Sequence, residues 1–278
     1  MSISYKLISQ KPIIFNRLVG MPVKDFDSIL EKLTPLWQKK VLAAYKRPGR
    51  DFKLGLADML MILLIYYRSY ITQEFLGHLF GIDDSRVCRL IKRIEPLLAR
   101  TVAIRKERHL SQEEVESLIV DATEQPIERP KRRQTKYYSG KKKRHTLKTE
   151  IRITPKGRIV HVSRHSPGSV HDFTVYKNGR PVHRDTRTFV DSGYQGLDKL
   201  HQATDLPYKT SKNHKLDKEE MEYNIALSRL RVKVENTLCK IKVFRILSDR
   251  YRNKRKGYSL KFNIIAGIVN LKNGFAIS

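Results

Sequence analysis

Apolar residues recur through the first hundred positions with helical spacing. Phe26, Ile29, Leu30 and Leu33 fall at i, i+3, i+4 and i+7, which predicts one helix; Pro35 should close it, and a second run through Trp37, Val41 and Leu42 should follow. Lys46 to Lys53, KRPGRDFK, combines Pro and Gly with cations and reads as a basic loop. Leu54 to Tyr70 is apolar almost throughout, as expected of a buried support helix. Beyond Glu95 and Pro96 the pattern changes. A short helix is expected from Ser111 to Glu116, and then Leu118, Ile119 and Val120 form an apolar run closed by Asp121, as in a central strand with a carboxylate at its carboxyl end. Leu147, Thr149, Ile151 and Ile153 alternate, Thr154-Pro155-Lys156-Gly157 makes a turn, and Ile159, Val160 and Val162 return, so an antiparallel hairpin is predicted. Ser169 is expected to cap a short helix containing His171 and Asp172. Thr188, Phe189 and Val190 lead into Asp191, a second strand-end carboxylate. Helical patterns over Leu227 to Lys242 and Leu260 to Leu271 complete the chain.

Thr72 to Lys92, TQEFLGHLFGIDDSRVCRLIK, has the form of a helix-turn-helix. Thr72 can cap a helix with Phe75, Leu76 and Leu79 inward; Gly81 permits the turn, Ile82 plugs it, and Asp83 or Asp84 caps a second helix packed through Val87, Leu90 and Ile91. Ser85, Arg86, Arg89 and Lys92 then face outward, where they can reach a major groove or its phosphates. A plain αα-hairpin is the alternative, and the charge of the chain weighs against it. With 56 Lys and Arg against 28 Asp and Glu, the 278 residues carry a formal charge of +28, which points to a polyanionic partner, above all nucleic acid. The longest apolar run, Met59 to Tyr67, is far short of the ~20 residues that span a bilayer, so no membrane role is expected. The amino terminus lacks the features of a secretory signal, and Cys88 and Cys239 stand far apart without metal-ligand spacing, which suits a reducing, cytoplasmic location associated with the nucleoid. KRRQTKYYSGKKKR, from Lys131 to Arg144, holds eight cations and no acid. Lys131, Arg132, Arg133, Lys141, Lys142, Lys143 and Arg144 are expected phosphate contacts, with Tyr137 and Tyr138 available for stacking. A further basic run, Arg250 to Lys256, precedes the final helix.

On the helix LSRLRVKVENTLCKIK, Arg231, Glu235 and Lys242 lie within about 40° of one another, beside an apolar stripe of Leu230, Val234, Leu238 and Ile241. Taken alone, Glu235 reads first as half of an ordinary surface ion pair with Arg231. Asp121 and Asp191 change that picture. If their strands are neighbours in one sheet their ends meet, and a helix packed on that sheet can bring a third carboxylate to the same point. Hard oxygen donors without a His or Cys cluster favour Mg2+ or Mn2+, and two such ions could activate a water or a 3′ hydroxyl in phosphodiester displacement.

VDATEQPIERP at Val120 to Pro130, SPGSVHDF at Ser166 to Phe173, FVDSGYQG at Phe189 to Gly196 and RVKVENTL at Arg231 to Leu238 together resemble bacterial transposases of the insertion-sequence-five family. The resemblance covers nearly the whole chain. It implies a helical helix-turn-helix region over residues 1–105, then an RNase H-like DDE catalytic domain, a mixed sheet flanked by helices, over 106–278. Asp121, Asp191 and Glu235 are the implied catalytic triad and metal ligands, and Arg231 and Lys242 help hold the transposon end. The family places a Tyr three residues before that Arg; here the position is Ser228. The implied reaction is cleavage of terminal inverted repeats and joining of the 3′ hydroxyl to target DNA, by a homodimer assembled on double-stranded DNA.

Overall fold

The computed structural model describes residues 3–43, 52–104, 110–111, 115–211 and 215–276. Most of the basic loop expected at Lys46 to Lys53, and the middle of the short helix expected at Ser111 to Glu116, lie outside these residues. The described chain forms two units, the first comprising Met1–Ala103, Lys242–Asp249 and Leu260–Ser278, the second Ile104–Ile241 and Arg250–Ser259.

The first unit is helical: α1 (Tyr5–Ile8), α2 (Pro12–Val19), α3 (Val23–Trp37), α4 (Leu56–Ser69), α5 (Gln73–Phe80) and α6 (Asp84–Thr101). The run Met59 to Tyr67 is buried on every face of α4, which makes this helix the support that its composition predicts. Two prolines do not break the helices where the sequence suggests. α3 passes through Pro35, with the Thr34 hydroxyl donating to the Leu30 carbonyl at 2.7 Å, and continues as a π-helical turn, Gln38–Leu42. α6 passes through Pro96, because Ile94, Leu97, Leu98 and Thr101 remain on its buried side. Glu95, also buried, accepts a hydrogen bond from the Tyr67 hydroxyl at 2.6 Å and pairs with Lys261 at 2.8 Å. Lys261 belongs to α10 (Tyr258–Lys272). That pairing fastens the carboxyl-terminal helix within the helical unit.

α5 and α6 form the helix-turn-helix. The Thr72 hydroxyl accepts from the Phe75 amide at 3.2 Å, Gly81 takes a left-handed conformation (φ 63°), and the Ile82 amide donates to the Gly77 carbonyl at 2.9 Å. Gly77 is required by the close approach of the two helices: a Cβ there would sit 2.4 Å from the Ile82 carbonyl oxygen. Leu76 and Phe80 are buried, but Phe75 is exposed, contrary to the inward position expected for it, because Leu76, Gly77 and Phe80 define the buried face of α5 and Phe75 lies to its side.

The second unit is a mixed sheet with helices. β1 (Ser117–Pro126) is its centre, followed by α7 (Gln134–Tyr137), β2 (Tyr138–Ser139), β3 (Arg144–Ile153), β4 (Ile159–Val162), β5 (Ser166–Pro167), α8 (Asp172–Lys177), β6 (Arg187–Phe189), β7 (Thr204–Asp205) and α9 (Lys218–Lys242). The strand order is β2-β3-β1-β6-β7, with β4 and β5 also paired to β3. Leu118, Ile119 and Val120 are all fully buried, so β1 is covered on both faces, as its continuous apolar run predicts. β3 and β4 make the expected hairpin; the Gly157 amide donates to the Thr154 carbonyl at 2.8 Å. Ser169 does not cap α8: its hydroxyl donates to the Lys136 carbonyl, and the helix starts at Asp172 with His171 as N-cap. The observed architecture, a helical helix-turn-helix region and a mixed sheet with helices, is the one the sequence leads one to expect.

Candidate active site and nucleic-acid interface

Asp121 and Asp191 are placed side by side by strand register. β1 and β6 run parallel with Ile119 opposite Phe189, and each aspartate follows two residues later. Residues two apart share a face, so both carboxylates project in the same direction. Asp121 is not the end of its strand as expected. β1 continues to Pro126, paired antiparallel with β3 up to Thr146, while its pairing with β6 stops at Ile119. The loss of β6 beside a continuing β1 opens the edge of the sheet next to Asp121.

One cation joins the two acids. The Nη2 of Arg231, on α9, lies 3.9 Å from Asp121 Oδ1 and 3.9 Å from Asp191 Oδ2. Burial pushes Asp121 up to about 6; Arg231 and the Ala122 amide, which donates to its Oδ1 at 2.8 Å, oppose the shift, and the charges of Asp191 and Asp172 add to it. Asp191 accepts from the Gly193 amide at 2.8 Å. Gly193 leaves room at this turn, because a Cβ there would lie 2.7 Å from Asp172 Oδ2. Glu235, one helical turn beyond Arg231, is exposed. Among the described residues no group of three or more His, Cys, Asp or Glu side chains converges on a point able to hold a metal.

Charged groups that sequence reasoning passes over surround this pair. Lys148 of β3 is buried, 2.8 Å from Asp172 and 3.6 Å from Glu124, which is its cross-strand partner on β1. With Asp191, Ser192 and Tyr138 these three line a cleft of about 460 Å3. The signal available for Lys148 was weak: it occupies the polar side of an alternating strand, a side usually left to solvent. Here Lys148, Glu150 and Arg152 are all buried, with Arg152 paired to Glu150 at 3.0 Å and stacked 4.8 Å from the Tyr176 ring centre of α8.

The expected nucleic-acid contacts are exposed. In the helix-turn-helix Ser85, Arg86, Arg89 and Lys92 are outward while Val87 and Ile91 are buried. Arg86 pairs with Asp83 at 3.2 Å, and Arg89 donates to the Ser85 hydroxyl at 3.2 Å and its carbonyl at 3.1 Å. In the second unit Lys131, Arg132, Arg133, Lys141, Lys142, Lys143 and Arg144 are all exposed around α7 and β2, and Lys141 reaches the cleft. Lys242, the last residue of α9, is exposed. No helix among the described residues is long and apolar enough to cross a membrane.

Comparison with known proteins agrees with this arrangement. The family described as DDE superfamily endonuclease matches residues 120–270, and the helix-turn-helix of DDE superfamily endonuclease matches residues 52–103. The chain is 38% identical, over 92% of its length and 93% of the relative's, to a Microchaete diplosiphon protein assigned as the transposase for insertion sequence element IS702. It is 26% identical, over 73% of its length and 75% of the relative's, to a Streptomyces albus G protein assigned as the transposase for insertion sequence element IS112. No solved structure matches the chain. A helix-turn-helix, a mixed sheet that aligns two aspartates, and these two relatives lead to one conclusion: the chain belongs to the DDE superfamily, as a transposase of the insertion-sequence type.

Proposed function

We propose that the protein binds the terminal inverted repeats of an insertion sequence, cleaves them by metal-dependent hydrolysis and joins the freed 3′ hydroxyl to target DNA. The observation that carries this reading is the convergence of Asp121 and Asp191 on one cationic centre, 3.9 Å from each. Superfamily members generally use divalent metals. The donors fit such an ion: they are hard oxygens, and they already accommodate a positive charge between them. Asp121 and Asp191 would hold Mg2+ or Mn2+, with Glu235 from the next turn of α9 as the third ligand. Bound metal, as one or two ions, would supply Lewis-acid activation of the attacking water or 3′ hydroxyl and stabilisation of the leaving oxygen.

The chain's own residues do the rest. Lys148 offsets part of the charge of Asp172 and Glu124, which limits the negative charge that an incoming phosphate meets in the cleft. Ser85, Arg86, Arg89 and Lys92 read or grip the inverted repeat, and the cations of 131–144 hold phosphates of the same DNA. Arg231 and Lys242 contact the transposon end from α9. Two ends have to be joined, so a homodimer on DNA is part of the reading, as is a cytoplasmic, nucleoid-associated location.

The test is to incubate purified protein with a labelled inverted-repeat end and a target plasmid, with Mg2+ or with EDTA. Joined products in Mg2+ alone are expected. Binding without cleavage would replace this reading with a DNA-binding regulator, and cleavage without joining would replace it with a nuclease.

A further inference from the structure

A second basic surface lies on the same sheet domain, at the far end of the strand that carries Asp121. Residues 127–132 and 251–256 form a groove of about 570 Å3. Its walls are tied together by backbone: Ile127 bridges Tyr251 in parallel, the Tyr251 amide donates to the Pro126 carbonyl at 2.8 Å, and the Ile127 amide donates to the His145 carbonyl at 2.9 Å. Three cations among residues 129–132 and four among residues 252–256 line it. Glu128 is the acid among the lining residues, and Arg250 holds it at 3.1 Å. Two of the cations are pre-positioned: Arg129 donates to the Gln134 side chain at 2.9 Å, and Arg255 lies 4.5 Å from the Tyr137 ring centre. Ordered cations lose less side-chain entropy on meeting a polyanion than free ones.

We propose that this groove holds the phosphate backbone of the duplex about half a helical turn from the point of cleavage. The inference rests on reading the Asp121 and Asp191 pair as the cleavage centre. From Asp121 to Ile127 the chain advances six residues along and just past β1, which at about 3.3 Å per residue is roughly 20 Å. A duplex rises about 3.4 Å per base pair, so that span corresponds to roughly six base pairs. Seven cations face one acid, Glu128, which Arg250 already holds, so the groove's contacts are to phosphate and independent of sequence.

The test uses the full chain in EDTA, where cleavage cannot intervene, with duplexes of the element's end cut to about four or extended to about twelve base pairs on either side of the terminal nucleotide. The variant combines Arg129→Gln, Lys254→Gln and Lys256→Gln, all exposed side chains whose loss leaves the fold intact. On one of the two arms, extension should tighten binding by the wild type and steepen its dependence on salt. The variant should lose that gain, with a slope of log K against log salt shallower by about 2–3 on the long duplex and unchanged on the short one. Equal slopes for the two proteins on both long arms would overturn the proposal. Length-dependent binding by a protein that never cuts in Mg2+ would overturn the cleavage reading and remove the half-turn placement with it.

Discussion

Arg231 and Asp121 face each other across 3.9 Å, and the same Arg231 nitrogen lies 3.9 Å from Asp191. One guanidinium therefore serves as counter-charge for two largely buried carboxylates. Removing it leaves them opposed with nothing between. Arg231→Gln is expected to lower the stability of the metal-free protein at mildly alkaline pH by about 1–3 kcal/mol. Mg2+ should then raise the melting temperature of the variant more than that of the wild type, because the ion no longer competes with the guanidinium. Thermal unfolding in EDTA and in Mg2+ reads both effects; a variant as stable as the wild type in EDTA would show that the contact does not hold the acids.

The pH dependence of the metal-free protein follows from Asp121, which burial pushes up to about 6. The folded-state value lies above the ordinary carboxylate value near 3.9, so the group favours folding while protonated, and this contribution is lost as pH rises through about 6. Between pH about 4 and about 6 the loss should be on the order of 1–3 kcal/mol. Urea unfolding in EDTA across that range should show it, and Asp121→Asn should flatten it. Identical profiles for the two proteins would contradict the burial of a charged Asp121.

In the helix-turn-helix, structure and recognition should separate. Gly77→Ala forces a Cβ against the Ile82 carbonyl and should cost about 1–3 kcal/mol of stability. Arg89→Ala, on the exposed face, should leave stability within about 0.5 kcal/mol and weaken binding of the inverted repeat by about 1–3 kcal/mol. Denaturation and equilibrium binding on the same two variants would expose the reverse pattern if α6 did not face DNA.

Glu95 ties α4 to α6 and α10 through Tyr67 and Lys261. Glu95→Ala leaves a buried ammonium without its partner and should cost about 3–5 kcal/mol, while the paired replacement Glu95→Leu with Lys261→Met should cost much less. A double-mutant cycle by urea unfolding measures the difference; an additive pair would mean the two charges do not interact.

Much of this architecture is legible in the residues. The run Met59 to Tyr67 announces a helix buried all round, and the apolar triplet ahead of Asp121 announces a central strand. The spacing of Val87 and Ile91 leaves Ser85, Arg86, Arg89 and Lys92 outward, as observed. What local pattern cannot carry is which neighbour covers a surface. The polar side of β3 reads as solvent-facing, yet Arg152 is buried beneath Tyr176 because α8, twenty residues on, folds over it. The pairing of Ile119 with Phe189 is equally invisible, since it joins positions 70 residues apart in sequence. Pro35 and Pro96 mislead for a related reason: burial of the following turns outweighs the hydrogen bond each proline removes.

The central claim is that Asp121, Asp191 and Glu235 act together in cleavage, and single-turnover cleavage of a labelled inverted-repeat end tests it most directly. Asp121→Asn, Asp191→Asn and Glu235→Gln, each shown to bind the end as the wild type does, should each lose more than the roughly 10–100-fold that removal of an outer partner costs a metal site. A Glu235→Gln protein that cleaves at the wild-type rate would contradict the account, because the exposed Glu235 would then stand outside the site formed by the two aspartates.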